Sequence, residues 1–209
     1  MPKTEPFDKY IDQYEQWFKE NEGYYKSEIE AVKHFIKNPK GFVELGVGSG
    51  LFAAPLGISK GIEPSSVMAE AARRRGIEVI EGRGEDIPME DSSCDGILMV
   101  TTICFLDDAT TTLKECYRVL KEGGKIVIGF VDRESPIGRE YLKIKEESVF
   151  YRDAVFFSTE EILEALKKAG FKNIKTVQTL FPDRGPHHTH PIKEGYGEGS
   201  FVVVCGEKD

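Results

Sequence analysis

The sequence predicts an α/β fold: a doubly wound, mainly parallel sheet with helices on both faces and an N-terminal helical cover. From residue 41 onwards, short apolar runs alternate with helical patterns, which is typical of βαβ units. The first of these runs ends in closely spaced glycines, a feature that parallel sheets place at the carboxyl end of a strand. The 209 residues are 40% hydrophobic and 11% aromatic, which is sufficient for one packed core.

The N-terminal segment is predicted to be helical over residues 7–38. Apolar side chains recur there at spacings of three and four residues, the period of an amphipathic helix. Gly23 separates a first stretch from a second one that begins at Ser27. The first stretch carries the stripe Phe7, Ile11, Tyr14 and Phe18.

The first half of the alternating region contains three predicted strands, 42–45, 61–63 and 78–81. The helix predicted over 65–75 has a serine to cap its start, three arginines in its last turn, and Gly76 as its stop.

The second half continues the alternation. We predict a buried strand at 96–100, a helix at 109–120 closed by Gly123 and Gly124, and a strand at 125–130. Residues 158–161 read Ser-Thr-Glu-Glu, a capping box that starts a helix ending at Gly170. The last two predicted strands are 174–180 and 201–204. We expect one domain over 1–209, with a cover (1–40), a cofactor-binding half (41–131) and a substrate-side half (132–209).

Composition excludes several classes of protein. Lys and Arg total 28 against 36 for Asp and Glu, so the net charge of -8 disfavours a nucleic-acid partner. The longest weakly polar stretch, 96–106, is too short to cross a membrane. The start carries no leader pattern, so we expect a cytoplasmic protein. Four widely spaced cysteines predict neither a disulfide framework nor a metal site: Cys94, Cys104, Cys116 and Cys205.

The most informative stretch is the glycine loop of residues 44–50, Glu-Leu-Gly-Val-Gly-Ser-Gly. Three glycines at alternate positions allow a tight turn in which a ligand lies against bare backbone. The spacing G-x-G-x-G differs from the G-x-G-x-x-G of nicotinamide and flavin sites, and no Gly-Lys-Ser/Thr follows. Glu63 ends the next strand, where an acid is placed to bind a ribose diol.

With these motifs the sequence resembles the class I S-adenosylmethionine-dependent methyltransferases over nearly its whole length. Glu44, Gly46, Gly48 and Gly50 match the family's first motif, and residues 61–65 match its ribose-binding segment. Residues 82–88 resemble the adenine-side segment, and 94–98 and 117–124 resemble the fourth strand and the approach to the fifth. The resemblance implies a Rossmann-like sheet of seven strands and S-adenosylmethionine as cofactor.

The resemblance also assigns the cofactor's parts to residues. Glu44 and the glycines hold the methionine part, Glu63 holds the ribose, and Met68 packs on adenine. The adenine amino group is expected to meet Glu85 or Asp86 and the backbone of Gly84. Tyr14 belongs to a helix similar to the aromatic helix that covers the cofactor in these enzymes. From its position just past the fourth strand, we also expect Thr101 to line the cofactor site. Two positions depart from the family: Arg83 stands where many relatives have an acid, and Cys104-Phe105 stands where some have two histidines.

Methyl transfer from a sulfonium is an in-line displacement that requires mainly positioning, so a general base is needed only for a protonated acceptor. Thr101 and Thr102 are candidates for the methyl-transfer site, or they end the fourth strand by bonding local backbone. His188, with His187 and His190, is a candidate base or substrate ligand, or belongs to an unremarkable exposed loop. We predict no metal, because H-x-H alone lacks the ligands of a site.

The sequence leaves several alternatives open. Tyr14 is predicted at the cofactor and Trp17 in packing, while residues 139–153 form either a lid helix or a solvated connection. The expected function is methyl transfer to a small molecule, neutral or cationic, whose nucleophilic atom the sequence does not identify. A nicotinamide-dependent oxidoreductase and a non-catalytic S-adenosylmethionine-binding protein are the alternatives, and the oligomeric state is open.

Overall fold

The computed structural model describes residues 4–209 and contains one eight-stranded sheet with helices on both faces. The strand order is β3-β2-β1-β4-β5-β8-β6-β7. The strands are β1 (Phe42–Leu45), β2 (Lys60–Glu63), β3 (Glu78–Glu81), β4 (Cys94–Val100), β5 (Leu120–Val131), β6 (Lys172–Thr179), β7 (Lys193–Glu194) and β8 (Phe201–Glu207). The helices are α1 (Glu5–Lys9), α2 (Ile11–Glu20), α3 (Glu22–Lys33), α4 (Ala53–Leu56), α5 (Ser66–Arg74), α6 (Ala109–Val119), α7 (Pro136–Ile144) and α8 (Thr159–Ala169).

The sheet is doubly wound, as predicted. The first five strands pair in parallel, and β8 inserts antiparallel between β5 and β6. The prediction of seven strands is wrong by one, because the two-residue β7 adds to the edge of β6. Since the chain order reverses between β1 and β4, the loops after these strands diverge there and leave space for a ligand.

Two apolar clusters fill the space on the two faces of the sheet. Alternation along β4 sends Leu98 and Val100 into one cluster, and Ile97 and Met99 into the other. The four side chains are all buried, so this strand lies at the centre of the core. No helix within residues 4–209 is long and apolar enough to cross a bilayer.

The N-terminal cover differs from its prediction in where it breaks. The helical segment divides at Tyr10 and Asn21, and Gly23 lies inside α3 instead of between two helices. A Cβ at Gly23 would lie 2.4 Å from the backbone N of His188, so the glycine admits a neighbouring loop against the helix. Close packing therefore explains this glycine, and a helix break does not.

The helix caps follow the sequence prediction. Ser65 accepts a hydrogen bond from the Met68 amide at the start of α5, and Ser158 and Glu161 form the reciprocal capping box of α8. Gly170 ends α8 in the left-handed region with φ 103°.

The start of β5 is a correction to the prediction. Leu120 already pairs with Cys94, and the register then shifts until Lys125 pairs with Gly96. Gly123, at φ 74°, lies within this irregular stretch, so the two glycines form part of the strand instead of closing a helix. The ladder continues on both sides of the irregularity because β4 is long enough to pair with each part.

Candidate functional site

A chamber of about 530 Å³ opens at the carboxyl ends of the central strands. Its walls come from the loops after β1, β2, β3 and β4, from the end of β5, from the helices α1, α2, α3 and α5, and from residues 141–151. We call it the chamber; Gly48, Glu63, Met68, Thr101, Glu28 and Tyr141 are among its lining residues. Its volume lies within the range of small-molecule sites, and its position is the one that doubly wound sheets use for ligands.

The three glycines of the loop all have left-handed backbone, with φ values of 69°, 54° and 85° for Gly46, Gly48 and Gly50. A Cβ at Gly46 would lie 2.3 Å from a Thr102 methyl, and one at Gly50 would lie 2.5 Å from Ile77. Both glycines therefore serve packing, and Gly50 does not line the chamber. Gly48 has more space, with Met68 at 3.4 Å, so it offers bare backbone to a ligand.

Glu63 ties the glycine loop to the end of β2. Its Oε2 accepts a hydrogen bond from the Gly48 amide at 2.8 Å, and its Oε1 accepts one from the Ser65 amide at 2.9 Å. Burial raises the pKa of Glu63, and these two backbone hydrogen bonds oppose that rise. Each carboxylate oxygen has further acceptor capacity, so the side chain remains able to bind a diol in the chamber.

Glu44, the other acid of the loop motif, does not line the chamber. It is buried, its carboxylate bonds the Ala53 amide, and its Oε2 has no hydrogen-bond partner among the described residues. Burial raises the pKa of this carboxyl well above its usual range. The structure thus keeps Glu44 out of the chamber, and its hydrogen bond to Ala53 ties the end of β1 to the far side of the glycine loop.

The predicted adenine-side residues lie together at the β2–β3 end of the chamber. Met68 is buried, and a Cβ at Gly84 would lie 2.7 Å from Thr112, so a larger residue there would displace the start of α6. Glu85 lines the chamber, but its Oε1 accepts hydrogen bonds from the amides of Asp107 and Asp108 at 2.8 and 3.1 Å. That carboxylate therefore fixes the loop before α6.

Thr101 and Thr102 both line the chamber but differ in their hydrogen bonds. The Thr102 hydroxyl donates to the carbonyls of Val100 and Gly46 at 3.1 and 3.3 Å, which is the strand-ending role. Thr101 has left-handed backbone with φ 51°, held by a hydrogen bond from its amide to the Gly129 carbonyl at 2.8 Å. A β-branched residue in this region is strained, and strain of this kind concentrates at functional sites.

Aromatic rings close the chamber from the N-terminal side. Tyr14 lies near Gly48 and contacts Phe7 and Phe150, whose ring centroids are 5.7 and 6.1 Å away. Burial raises the pKa of the Tyr14 phenol, and the charges of nearby carboxylates raise it further. Trp17 packs against Phe18 at 5.1 Å and also lines the chamber, so it contributes to both packing and the wall.

The histidine loop lies away from the chamber. His190 is buried; its Nδ1 accepts a hydrogen bond from the Phe181 amide, and its own amide donates to the Ser27 hydroxyl. His187 and His188 are exposed, and none of the three lines the chamber. The structure therefore does not bring His188 to the site. Within residues 4–209, no group of three or more His, Cys, Asp or Glu side chains is arranged to hold a metal.

Glu28, which was not a candidate from the sequence, lines the chamber together with Tyr141 and Tyr151 of the predicted segment 139–153. That segment is helical only up to Ile144, and its aromatic side chains face the chamber. Glu28 is only 4% exposed, and burial raises its pKa to about 8. The Tyr141 and Tyr151 rings stack with centroids 4.9 Å apart, and their hydroxyls are hydrogen-bonded. The signal in the sequence was that Glu28 interrupts the apolar stripe of α3, being three residues after Tyr25 and four before Val32.

Similar sequences and structures among known proteins include methyltransferases and uncharacterized proteins. Residues 43–128 match a family model described as a methyltransferase domain. The chain is similar to a crystal structure of an S-adenosylmethionine-dependent methyltransferase of Thermotoga maritima, which is described as a possible histamine N-methyltransferase. The two superpose with a TM-score of 0.94 at 51% sequence identity, covering 98% of this chain and 99% of that one. An uncharacterized protein of Methanocaldococcus jannaschii is 48% identical over 202 residues, or 97% of this chain and 98% of its own length.

Proposed function

The chain belongs to the class I S-adenosylmethionine-dependent methyltransferases, and on that premise we propose that it methylates a small molecule bound in the chamber. S-adenosylmethionine is its cofactor. The single observation that supports a small acceptor is the chamber itself, which aromatic side chains of the N-terminal cover and of residues 141–151 enclose. An enclosed volume of about 530 Å³ suits small molecules better than a polymer segment.

The residues at one end of the chamber suit the cofactor. Gly48 presents bare backbone beside Met68, and the Glu63 carboxylate is held at the strand end by two amides. We assign the ribose to Glu63, the adenine to the Met68 and Gly84 side, and the methionine part to the loop at Gly46 and Gly48. Glu44 acts from outside the chamber, through its hydrogen bond to Ala53.

The cofactor supplies a methyl group that its sulfonium sulfur already activates, so the protein's task is to bind, orient and exclude water. Thr101 forms the wall where β4 ends, and a hydrogen bond from its amide to the Gly129 carbonyl holds its strained backbone. Tyr14, Phe7 and Phe150 close the chamber on the opposite side. These contacts hold an acceptor near the cofactor without a dedicated covalent intermediate.

The charges of the chamber wall favour a cationic acceptor over an anionic one. Five acidic side chains line it within the described part of the chain, against one arginine: Glu20, Glu28, Glu63, Glu85, Asp107 and Arg83. Even with Glu28 protonated the acids outnumber the arginine, and a wall of net negative charge raises the local concentration of cations. The description of the Thermotoga relative as a possible histamine N-methyltransferase makes amines the first class to test.

The test is equilibrium binding followed by turnover. S-adenosylhomocysteine and NAD are titrated calorimetrically against the protein, and the protein is then incubated with S-adenosylmethionine and a panel of amines, phenols and thiols. We expect S-adenosylhomocysteine binding in the micromolar range or tighter, no NAD binding, and S-adenosylhomocysteine formation with at least one acceptor. Cofactor binding with no turnover across the panel would indicate a non-catalytic binding protein, and NAD binding alone would indicate an oxidoreductase.

A further inference from the structure

Glu28 is a buried carboxyl that faces the chamber without a described partner. It lies on α3, which packs against β5, β6 and β8, so it enters the chamber from the side opposite Glu63 and Met68. Its exposed fraction is 4%, and no lysine, arginine or histidine among residues 4–209 is paired with it. A buried, unpaired acid costs stability, so its presence requires a reason other than folding.

The side chains around Glu28 are of the kinds that bind a cation. The hydroxyl groups of Tyr14, Tyr141 and Tyr151 lie close enough for the Glu28 charge to raise the pKa of each. Tyr151 also stacks on Phe105 with ring centroids 6.2 Å apart. Aromatic faces beside a carboxylate bind ammonium groups through cation–π attraction and an ion pair.

We propose that Glu28 recognises the acceptor: its carboxylate binds the ammonium group of a small amine and accepts the proton that the nitrogen loses before methylation. This inference rests on the methyl transfer proposed above. An ammonium nitrogen has no lone pair, so one N–H bond must break before an N–C bond forms. The proton passes to Glu28, the freed lone pair bonds the methyl carbon, and the C–S bond breaks with its electron pair remaining on sulfur.

The electrostatics around Glu28 agree with this role. Burial alone raises its pKa to about 8, near the operating range of a general base at neutral pH. The titratable groups that Glu28 influences are the phenols of Tyr14 on α2, Tyr25 on α3, Tyr141 on α7 and Tyr151 beyond it. No described cation from these elements, or from the strands under α3, offsets its burial.

The binding of an amine to Glu28 should release a proton to the solvent. Below its pKa, Glu28 is mostly protonated in the free protein, while an amine is present as ammonium. The ammonium–carboxylate pair holds one proton fewer than the two separate partners, so amine binding at pH 7 releases most of one proton to the buffer. A neutral molecule of similar shape releases none.

Isothermal titration calorimetry in buffers of different ionisation enthalpy measures this count. The probes are histamine and phenethylamine, with 2-phenylethanol as the neutral control, each added to protein saturated with S-adenosylhomocysteine. For the wild type we expect amine binding with proton release close to one and no release with 2-phenylethanol. Glu28→Gln should weaken amine binding at least tenfold and abolish the release.

Two further variants separate recognition from a structural effect. Glu28→Asp keeps the charge on a shorter side chain and should restore part of the proton release. Glu30→Gln changes an exposed acid on the same helix, paired with Lys33 at the surface, and should leave amine binding unchanged. S-adenosylhomocysteine should bind all variants equally, because Glu28 lies at the other end of the chamber.

The outcomes distinguish the two proposals. Equal amine binding by the wild type and Glu28→Gln, binding without proton release, or failure of both amines to bind overturns the role of Glu28 and leaves methyl transfer standing. Failure of S-adenosylhomocysteine to bind the wild type overturns the proposed function itself. Binding of 2-phenylethanol in preference to both amines assigns the chamber to neutral acceptors and also overturns the role of Glu28.

Discussion

The assignment of Glu63 to the ribose predicts a specific loss of cofactor affinity in Glu63→Gln. In the wild type both carboxylate oxygens accept backbone hydrogen bonds and keep acceptor capacity toward the chamber. A glutamine has one acceptor oxygen and an NH₂ group, so either Gly48 or Ser65 loses its partner. The charge that strengthens hydrogen bonds to a diol is lost as well.

The expected magnitude follows from the hydrogen bonds involved. A hydrogen bond to a charged group contributes about 1.5–3 kcal/mol, and glutamine preserves part of the geometry. We therefore expect S-adenosylhomocysteine to bind about 2–3 kcal/mol more weakly, which is roughly 30- to 150-fold in the dissociation constant. Calorimetric titration measures this, and thermal unfolding of the variant shows whether it remains folded.

A double-mutant cycle on the ligand makes the test specific. The 2′-deoxy analogue of S-adenosylhomocysteine should bind the wild type more weakly than the parent compound, and Glu63→Gln should remove most of that difference. Glu81→Gln is the matched control, because Glu81 occupies the paired position on β3 and is exposed. A change below threefold in Glu63→Gln, or an unchanged effect of the missing hydroxyl, would refute the ribose assignment.

Four further predictions concern other residues. Gly48→Ala should weaken S-adenosylhomocysteine binding about tenfold, because it adds left-handed strain and a methyl group 3.4 Å from Met68. Gly123→Ala, equally strained but in open space, should leave binding unchanged. Thr101→Gly should raise the free energy of unfolding in urea by about 1 kcal/mol, because the backbone strain at φ 51° disappears. His188→Ala should keep kcat/KM within twofold, because the residue does not line the chamber. The pKa of Glu28 is raised on folding, so its stabilising contribution relative to Glu28→Gln is complete below about pH 4.5 and is lost as pH rises through about 8. Urea unfolding of both proteins at pH 5, 7 and 9 measures this loss of stability, which is at most about 5 kcal/mol.

Each of these four predictions has an outcome that contradicts it. Equal affinities of the Gly48 and Gly123 variants would remove Gly48 from the cofactor surface. A destabilised Thr101→Gly protein would mean that packing of the threonine outweighs its strain. A large loss of turnover in His188→Ala would bring that loop into the reaction, and parallel pH profiles of wild type and Glu28→Gln would mean that Glu28 titrates normally.

Local sequence patterns predicted most of the fold. The period of the apolar residues placed β1, β2 and β3 and the helix α5 to within two residues, because each element satisfies its own burial and capping requirements locally. The predictions erred where a pairing partner decides the outcome. Strand β5 extends to Leu120 because β4 offers Cys94 as a partner, and β7 exists because the edge of β6 is free to pair.

For the site, too, the sequence predicted one part of the residues' roles and missed another. Gly46, Gly48, Glu63, Met68, Gly84, Glu85, Tyr14 and Thr101 were all candidates from the sequence, and all line the chamber. Apart from Tyr14 on α2 and Met68 on α5, these residues lie at or soon after the ends of strands, and the carboxyl ends of parallel strands meet at one edge of the sheet. The same pattern did not show that Gly50 packs against Ile77, that Glu44 bonds Ala53 outside the chamber, or that Glu85 caps the approach to α6.

By itself the sequence determined the strand–helix alternation, the glycine turn and the acid that follows it, because these depend on residues close together in the chain. Only the tertiary structure decided which side chains surround Glu28 in the chamber. Glu28 is more than a hundred residues away from Tyr141 and Tyr151 in the chain, and no periodicity links α3 to α7. Folding brings their side chains to one chamber, and burial there gives an ordinary glutamate its raised pKa.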